Sequence, residues 1–283
     1  IDGLSDAKLA GTNFTGGLSI GHNMTAATLN AAQYNTAIGA TALDALTTGD
    51  YNVAVGYDAL SATTSALKNT AVGYGAGSQG NYYYNAFLGF EAGRTNGGSN
   101  VAVGYQAGSE ITTGTQNVFI GYQAGESSTD TNNTIAIGND AGRDGDLGDY
   151  TTIMGVFAGL NSTGTSNVLV GYKAGFAIGS TTHTVLIGAE AAAASLTTDA
   201  NGTVAIGYAA LAALTDGQSN IAIGNNAGNE ITTGNQNTVV GFEAGSELKD
   251  DSGNTFFGAY AGYMVESDEN TFIGFEAGEG SSG

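Results

Sequence analysis

One nine-residue pattern recurs along this chain at a near-constant interval, and that period limits the fold more than any other feature. It reads Asn, small or β-branched, apolar, aliphatic, Gly, often aromatic, variable, Ala, Gly. Two copies are Asn100-Val101-Ala102-Val103-Gly104-Tyr105-Gln106-Ala107-Gly108 and Asn117-Val118-Phe119-Ile120-Gly121-Tyr122-Gln123-Ala124-Gly125. The central glycines are Gly39, Gly56, Gly73, Gly89, Gly104, Gly121, Gly138, Gly155, Gly171, Gly188, Gly207, Gly224, Gly241, Gly258 and Gly274. These fifteen copies lie 15 to 19 residues apart, most often 17. A weaker copy, Leu18-Ser19-Ile20-Gly21, stands ahead of them. Positions below are counted from the central glycine as 0.

Internal comparison shows structural positions being reused. Position +3 is Ala in every copy, from Ala42 to Ala277, and −1 is always Ile, Val, Leu, Met or Phe. Position −4 is Asn in eleven copies and Thr in the others, Thr134, Thr151, Thr184 and Thr203. Seventeen residues is too short for a helical repeat pair or a propeller blade, which take about 30 to 50. It suits one coil of a β-solenoid. Segments such as Val101 to Tyr105 have the β-branched and aromatic character of strands. Clusters such as Thr112-Thr113-Gly114-Thr115-Gln116 have the chemistry of turns. The expected fold is all-β with almost no helix: a parallel β-solenoid, or β-roll, of about 15–16 coils, its strands centred on the fifteen glycines. Residues 1–33 are expected to form an N-terminal cap or connector with one degenerate repeat, and residues 34–283 the array.

Alternation along a strand puts −3, −1 and +1 on one face and −4, −2 and 0 on the other. The first face, for example Val101, Val103 and Tyr105, is expected to line the coil interior. The second is not polar either: −2 is Ala in seven copies and Phe, Val, Leu or Ile in the rest. A strand apolar on both faces is usually covered on both, so a second copy of the chain is expected over Ala102, Phe119, Leu169, Val239, Phe256 and Phe272. A wider single-chain coil is the rival account. The aromatics at +1 (Tyr57, Tyr74, Phe90, Tyr105, Tyr122, Tyr172, Tyr208, Phe242 and Phe275) are expected to form a buried ladder; on an exposed face, stacked aromatics would suit sugars. The Asn at −4 predicts an amide ladder between in-register strands.

Composition removes the competing classes. With 47 glycines and no proline there is no Gly-X-Y collagen period. With 41% apolar residues the chain is not a disordered linker. Six Lys+Arg against 26 Asp+Glu give a net charge of −20, which argues against nucleic acid and anionic membranes as partners. No apolar run approaches the ~18 residues of a membrane helix. Without cysteine there is no disulfide or thiol chemistry. The absence of an initiator Met and the end at Ser281-Ser282-Gly283 are expected of a segment of a longer protein.

Signals of chemistry are weak. His22 and His183 are the only histidines and fall in different coils, whereas acid–base or metal chemistry needs close partners. Ser65-Ala66-Leu67-Lys68 matches a Ser-x-x-Lys string without its companion motifs. Gly73-Tyr74-Gly75-Ala76-Gly77 has no helix after it to make a phosphate cradle. The run from Asp140 to Asp149 is the candidate metal site, with Asp144, Asp146 and Asp149 as ligands for Ca²⁺, a cation that takes six to eight oxygens. Its spacing fits neither an EF-hand nor a calcium β-roll, and a solvated acidic surface is the alternative. Glu247, Asp250 and Asp251, and Glu266, Asp268 and Glu269, are similar clusters. No other cofactor is expected, and the chain does not read as an enzyme.

The string Asn-x-Ala-Ile/Val-Gly-x-x-Ala resembles the head repeats of trimeric autotransporter adhesins. The longer unit, with Thr-Thr-Gly spacers and Gly-Tyr-Gln-Ala-Gly, is similar to repeats of phage tail fibres and related virion proteins. The resemblance covers roughly residues 34 to 278 and is distinctive for architecture rather than biological role. It implies a side-by-side homotrimeric fibre at a virion surface or outside the cell: the shaft of a tail fibre that spaces a receptor-binding tip. The alternative it implies is a bacterial surface adhesin or extracellular filament. Its partners would be copies of itself and a host-surface glycan or protein receptor. The adhesin repeat is shorter than this one, so a wider turn is expected here.

Overall fold

The computed structural model describes residues 7–9, 14–15, 17–21, 32–95, 97–197 and 200–278. The chain divides into two compact units, residues 1–134 and 135–283. In the first, strands β1 (Ala7–Leu9), β2 (Phe14–Thr15), β3 (Leu18–Ile20) and β4 (Ala32–Gln33) precede β5 (Thr36–Ile38), β6 (Val53–Val55), β7 (Thr70–Val72), β8 (Ala86–Leu88), β9 (Val101–Val103) and β10 (Val118–Ile120). The second holds β11 (Ile135–Ile137), β12 (Thr152–Met154), β13 (Val168–Val170), β14 (Val185–Ile187), β15 (Val204–Ile206), β16 (Ile221–Ile223), β17 (Thr238–Val240), β18 (Thr255–Phe257) and β19 (Thr271–Ile273). No α-helix occurs among the described residues. The fold is a parallel β-solenoid, as its period predicts.

Register is conserved from coil to coil. Val101 pairs with Val118, Ala102 with Phe119 and Val103 with Ile120; Val204 likewise pairs with Ile221 and Ala205 with Ala222. The weak copy at Leu18 is a true coil strand, since β3 pairs in parallel with β5. Above it β1 runs antiparallel to β3, so the parallel ladder stops there. The strands are shorter than expected and end one residue before each glycine. At Gly104 φ is 139°, and its N–H donates to the Leu88 carbonyl at 2.8 Å as the chain turns.

Each coil also bends at −5, +2 and +4, all in left-handed conformation; in one coil these are Ser99, Gln106 and Gly108, with φ of 58°, 51° and 53°. The bends close the coil over −4, −2 and +3, which reverses the expected inside and outside. From Ala42 to Ala261 every +3 alanine is fully buried, and so are Ala102, Phe119, Leu169, Val239 and Phe256 at −2. Position −2 is therefore the coil interior and needs no second chain to cover it. Phe272, in the last coil, is half-buried.

Two positions share this interior by exchanging volume. Where −2 is Ala37, Ala54 or Ala205, +4 is Leu43, Leu60 or Leu211, all fully buried. Where −2 is Phe87 or Phe256, +4 is Gly93 or Gly262. A Cβ at Gly93 would lie 2.6 Å from Cδ1 of Phe87, and one at Gly262 would lie 2.7 Å from Cζ of Phe256. Where both are small, as at Ala102 and Gly108, the next coil's Phe119 and the +7 residue Ile111 occupy the space. Close packing tolerates neither a void nor an extra methylene, and the pairing follows from that.

The −4 amide ladder is present. Asn100 accepts the backbone N–H of Asn117 at 2.9 Å through Oδ1, and its Nδ2 donates to the Gly114 carbonyl at 2.9 Å. It thus ties its coil to the next and closes its own corner. The same bonds recur from Asn35 to Asn52 and from Asn220 to Asn237. Thr184 continues the ladder by donating both its N–H and its hydroxyl to Asn167 Oδ1, at 3.0 and 2.9 Å. Asn100→Ala would orphan a buried donor and a buried acceptor, each at a cost of about 1–3 kcal/mol. We therefore expect a loss of at least about 2 kcal/mol in thermal unfolding followed by circular dichroism. A loss no larger than that of Ser127→Ala would refute a structural role for the ladder.

An uncharged outer face with an aromatic ladder

With −2 turned inward, −3, −1 and +1 face outward. Val101 and Val103 are half-buried, and Leu88, Met154, Ile223 and Phe257 are exposed. The +1 aromatics are therefore not a core ladder. Tyr57, Tyr74, Phe90, Tyr105 and Tyr122 each expose 41% to 49% of their surface. Strand register stacks them one above another: successive centroids are 5.0–5.2 Å apart and the planes lie within 16° of parallel. Each ring covers part of its neighbour's face, which gives offset stacking worth about 0.5–1.5 kcal/mol per pair. It also leaves mainly edges and phenol hydroxyls toward solvent, a poor platform for sugars that stack on ring faces.

In the second unit the file is broken by Asn139, Val156, Ala189, Asn225 and Ala259. Tyr172 meets Phe157 edge-on there, at 6.4 Å and 70°. Beside the ladder in the first unit, the +2 file is polar: Gln106 Nε2 donates to Glu91 Oε2 at 2.9 Å, and Gln123 Nε2 donates to Gln106 Oε1 at 3.3 Å. A second aromatic file, at −5, went unnoticed in the sequence. Tyr34 stacks on Tyr51 at 5.0 Å, and Lys68 places Nζ 5.3 Å from the Tyr84 ring centre. Its signal, Tyr34, Tyr51 and Tyr84 each one residue before the ladder Asn, is present in the repeat alignment.

The other candidates are dispersed. Asp144 receives Arg143 Nε at 2.5 Å and Nη2 at 2.9 Å, and the buried Asp140 receives Nη1 at 3.1 Å. These carboxylates, the Asp144 hydrogen bond foremost, hold the guanidinium above its already high pKa. Asp146 is exposed and Asp149 half-buried. Among the described residues no three acidic or histidine side chains gather into a metal-holding group. His183 is an exposed corner residue whose ring nitrogen lies 3.0 Å from Thr182 Oγ1, and His22 lies outside the described residues. Ser65 Oγ accepts from Asn81 Nδ2 at 3.1 Å, while Lys68 turns to Tyr84. Gly75 and Gly77 are the +2 and +4 corners of their coil, with φ of 63° and 61°. In the cluster of Glu247, Asp250 and Asp251, burial pushes the Asp251 carboxyl up, helped by Asp250, Asp268 and Glu266. Lys249 Nζ sits 3.3 Å from Glu266.

Neither a protein-family model nor a curated protein matches this chain.

Proposed function

We propose that the chain is a structural segment of an extracellular or virion fibre, a shaft built by self-association through its outer face. One observation carries this reading. The three outward positions in each of the fifteen copies, forty-five residues in all, include no charged side chain, in a chain of net charge −20. They hold Val, Ile, Leu, Phe, Tyr, Thr, Met, Ala and Asn. Soluble monomers usually tolerate exposed apolar patches of only a few hundred Å², and in each unit this face repeats from coil to coil. With the carboxylates on other files, two copies meet here without pressing like charges together, and the remaining repulsion is screened beyond about 10 Å in physiological salt. A stoichiometry of three, and the tail-fibre setting, rest on the resemblance of the repeat.

The test is the mass in solution. Light scattering on the 28.1 kDa chain should give a multiple of that mass at micromolar concentration, and Leu88→Glu with Phe257→Glu, both at exposed positions, should shift it toward the monomer. Both sites are on the surface, so the variant should keep its β-sheet circular dichroism. A wild-type chain that stays monomeric would overturn the proposal while leaving the solenoid intact.

A further inference from the structure

On another side of each coil, positions +2, +5 and +6 form neighbouring files. In the coil of Gly138 they are Asp140, Arg143 and Asp144, and the guanidinium at +5 neutralises the acids on either side. In the coil of Gly241 they are Glu243, Ser246 and Glu247: the same two acids, with a hydroxyl where the cation stood. The preceding coil adds Asn229 and Glu230, and the following coil adds Tyr263. Together they line a cleft of about 160 Å³ that no basic residue enters. Ser246 is 6% exposed, and its Oγ has no hydrogen-bond partner. Ser128 and Ser162 also lack partners, but they are sealed inside their coils at +7. Lys249 is near enough to feel Glu230 and Glu247, yet its ammonium is engaged by Glu266 outside the cleft.

We propose that this cleft binds an organic cation, an alkylammonium or guanidinium group, in the place that Arg143 fills at the equivalent register. Glu230, Glu243 and Glu247 supply the charge, and Ser246 Oγ accepts an N–H. The Tyr263 ring supplies an aromatic wall of the kind cations favour. A cation with several N–H donors reaches separated carboxylates. A single metal ion does not, and no three acidic groups converge on one point among the described residues. The inference is independent of the fibre reading, because these files lie off the apolar outer face.

Calorimetry on the intact chain at low ionic strength tests it, with agmatine as probe and butylurea, a urea analogue that carries no charge, as control. Agmatine should saturate one site per chain, with a dissociation constant on the order of 1 mM or tighter, and the analogue should not bind. Glu243→Gln and Glu247→Gln should each weaken binding about tenfold. Ser246→Arg, which installs the cation internally, should abolish it and raise the melting temperature. A capped Gly-Arg-Gly peptide separates the sources: affinity equal to agmatine identifies a protein's basic side chain, and weaker binding a free amine. Absence of saturation, equal binding of the urea analogue, or unchanged binding in both glutamine variants would overturn the proposal. So would calcium binding that agmatine fails to displace.

Discussion

Gly104→Val is expected to unstack its coil from the next, at a cost of at least about 3 kcal/mol. Two effects add. Gly104 has φ of 139°, a conformation that a β-branched residue adopts only with strain of about 1–3 kcal/mol. Its Cβ would also lie 2.7 Å from the Gly121 carbonyl carbon and nearer still to the oxygen. That neighbour is backbone in a parallel ladder and cannot rotate aside, so overpacking adds about 1–3 kcal/mol or more. Ser127→Val, at a half-exposed spacer position, should change stability by less than about 0.5 kcal/mol. Repeat arrays unfold by neighbouring coils, so hydrogen exchange should locate the loss around β9 and β10. Equal destabilisation by both substitutions would refute the register.

The interior exchange between −2 and +4 predicts a rescue. Phe87→Ala alone should cost about 3–5 kcal/mol through the void it leaves. Gly93→Leu alone should cost a similar amount, because its side chain would occupy the Phe87 ring. The double variant recreates the pair found at Ala54 and Leu60, where leucine sits at φ of 51°. It should be more stable than either single variant. What remains is the left-handed leucine, at about 1–2 kcal/mol. Additive losses in a double-mutant cycle by chemical denaturation would show that the two positions do not share one space.

The sequence by itself determined the period, the parallel stack, the turning glycines and the amide ladder, because each is a local requirement repeated at a fixed offset. Only Gly tolerates the 0 position, and a short amide caps its corner and reaches the next coil, as the Thr151 hydroxyl also does, so both positions recur in plain view. It did not determine which face of the strand is inside. Alternation labels two faces without saying which is concave, and here both are apolar. Concavity is decided by the bends at −5, +2 and +4; Gly stands at +4 in eleven copies, but the left-handed turns at −5 and +2 are carried by residues as different as Ser99, Asp58, Lys173 and Tyr260, which share no side-chain signature. A trace did exist: Thr at −3 in Thr36, Thr70, Thr152, Thr238, Thr255 and Thr271 marks a face that accepts water. The reciprocal Ala–Leu and Phe–Gly pairs mark the face that does not. The cation cleft lay further out of reach, since it requires three coils to bring Glu230, Glu243, Glu247 and Tyr263 around one buried hydroxyl. Such proximity is set by how the coils stack and by nothing local to any one of them.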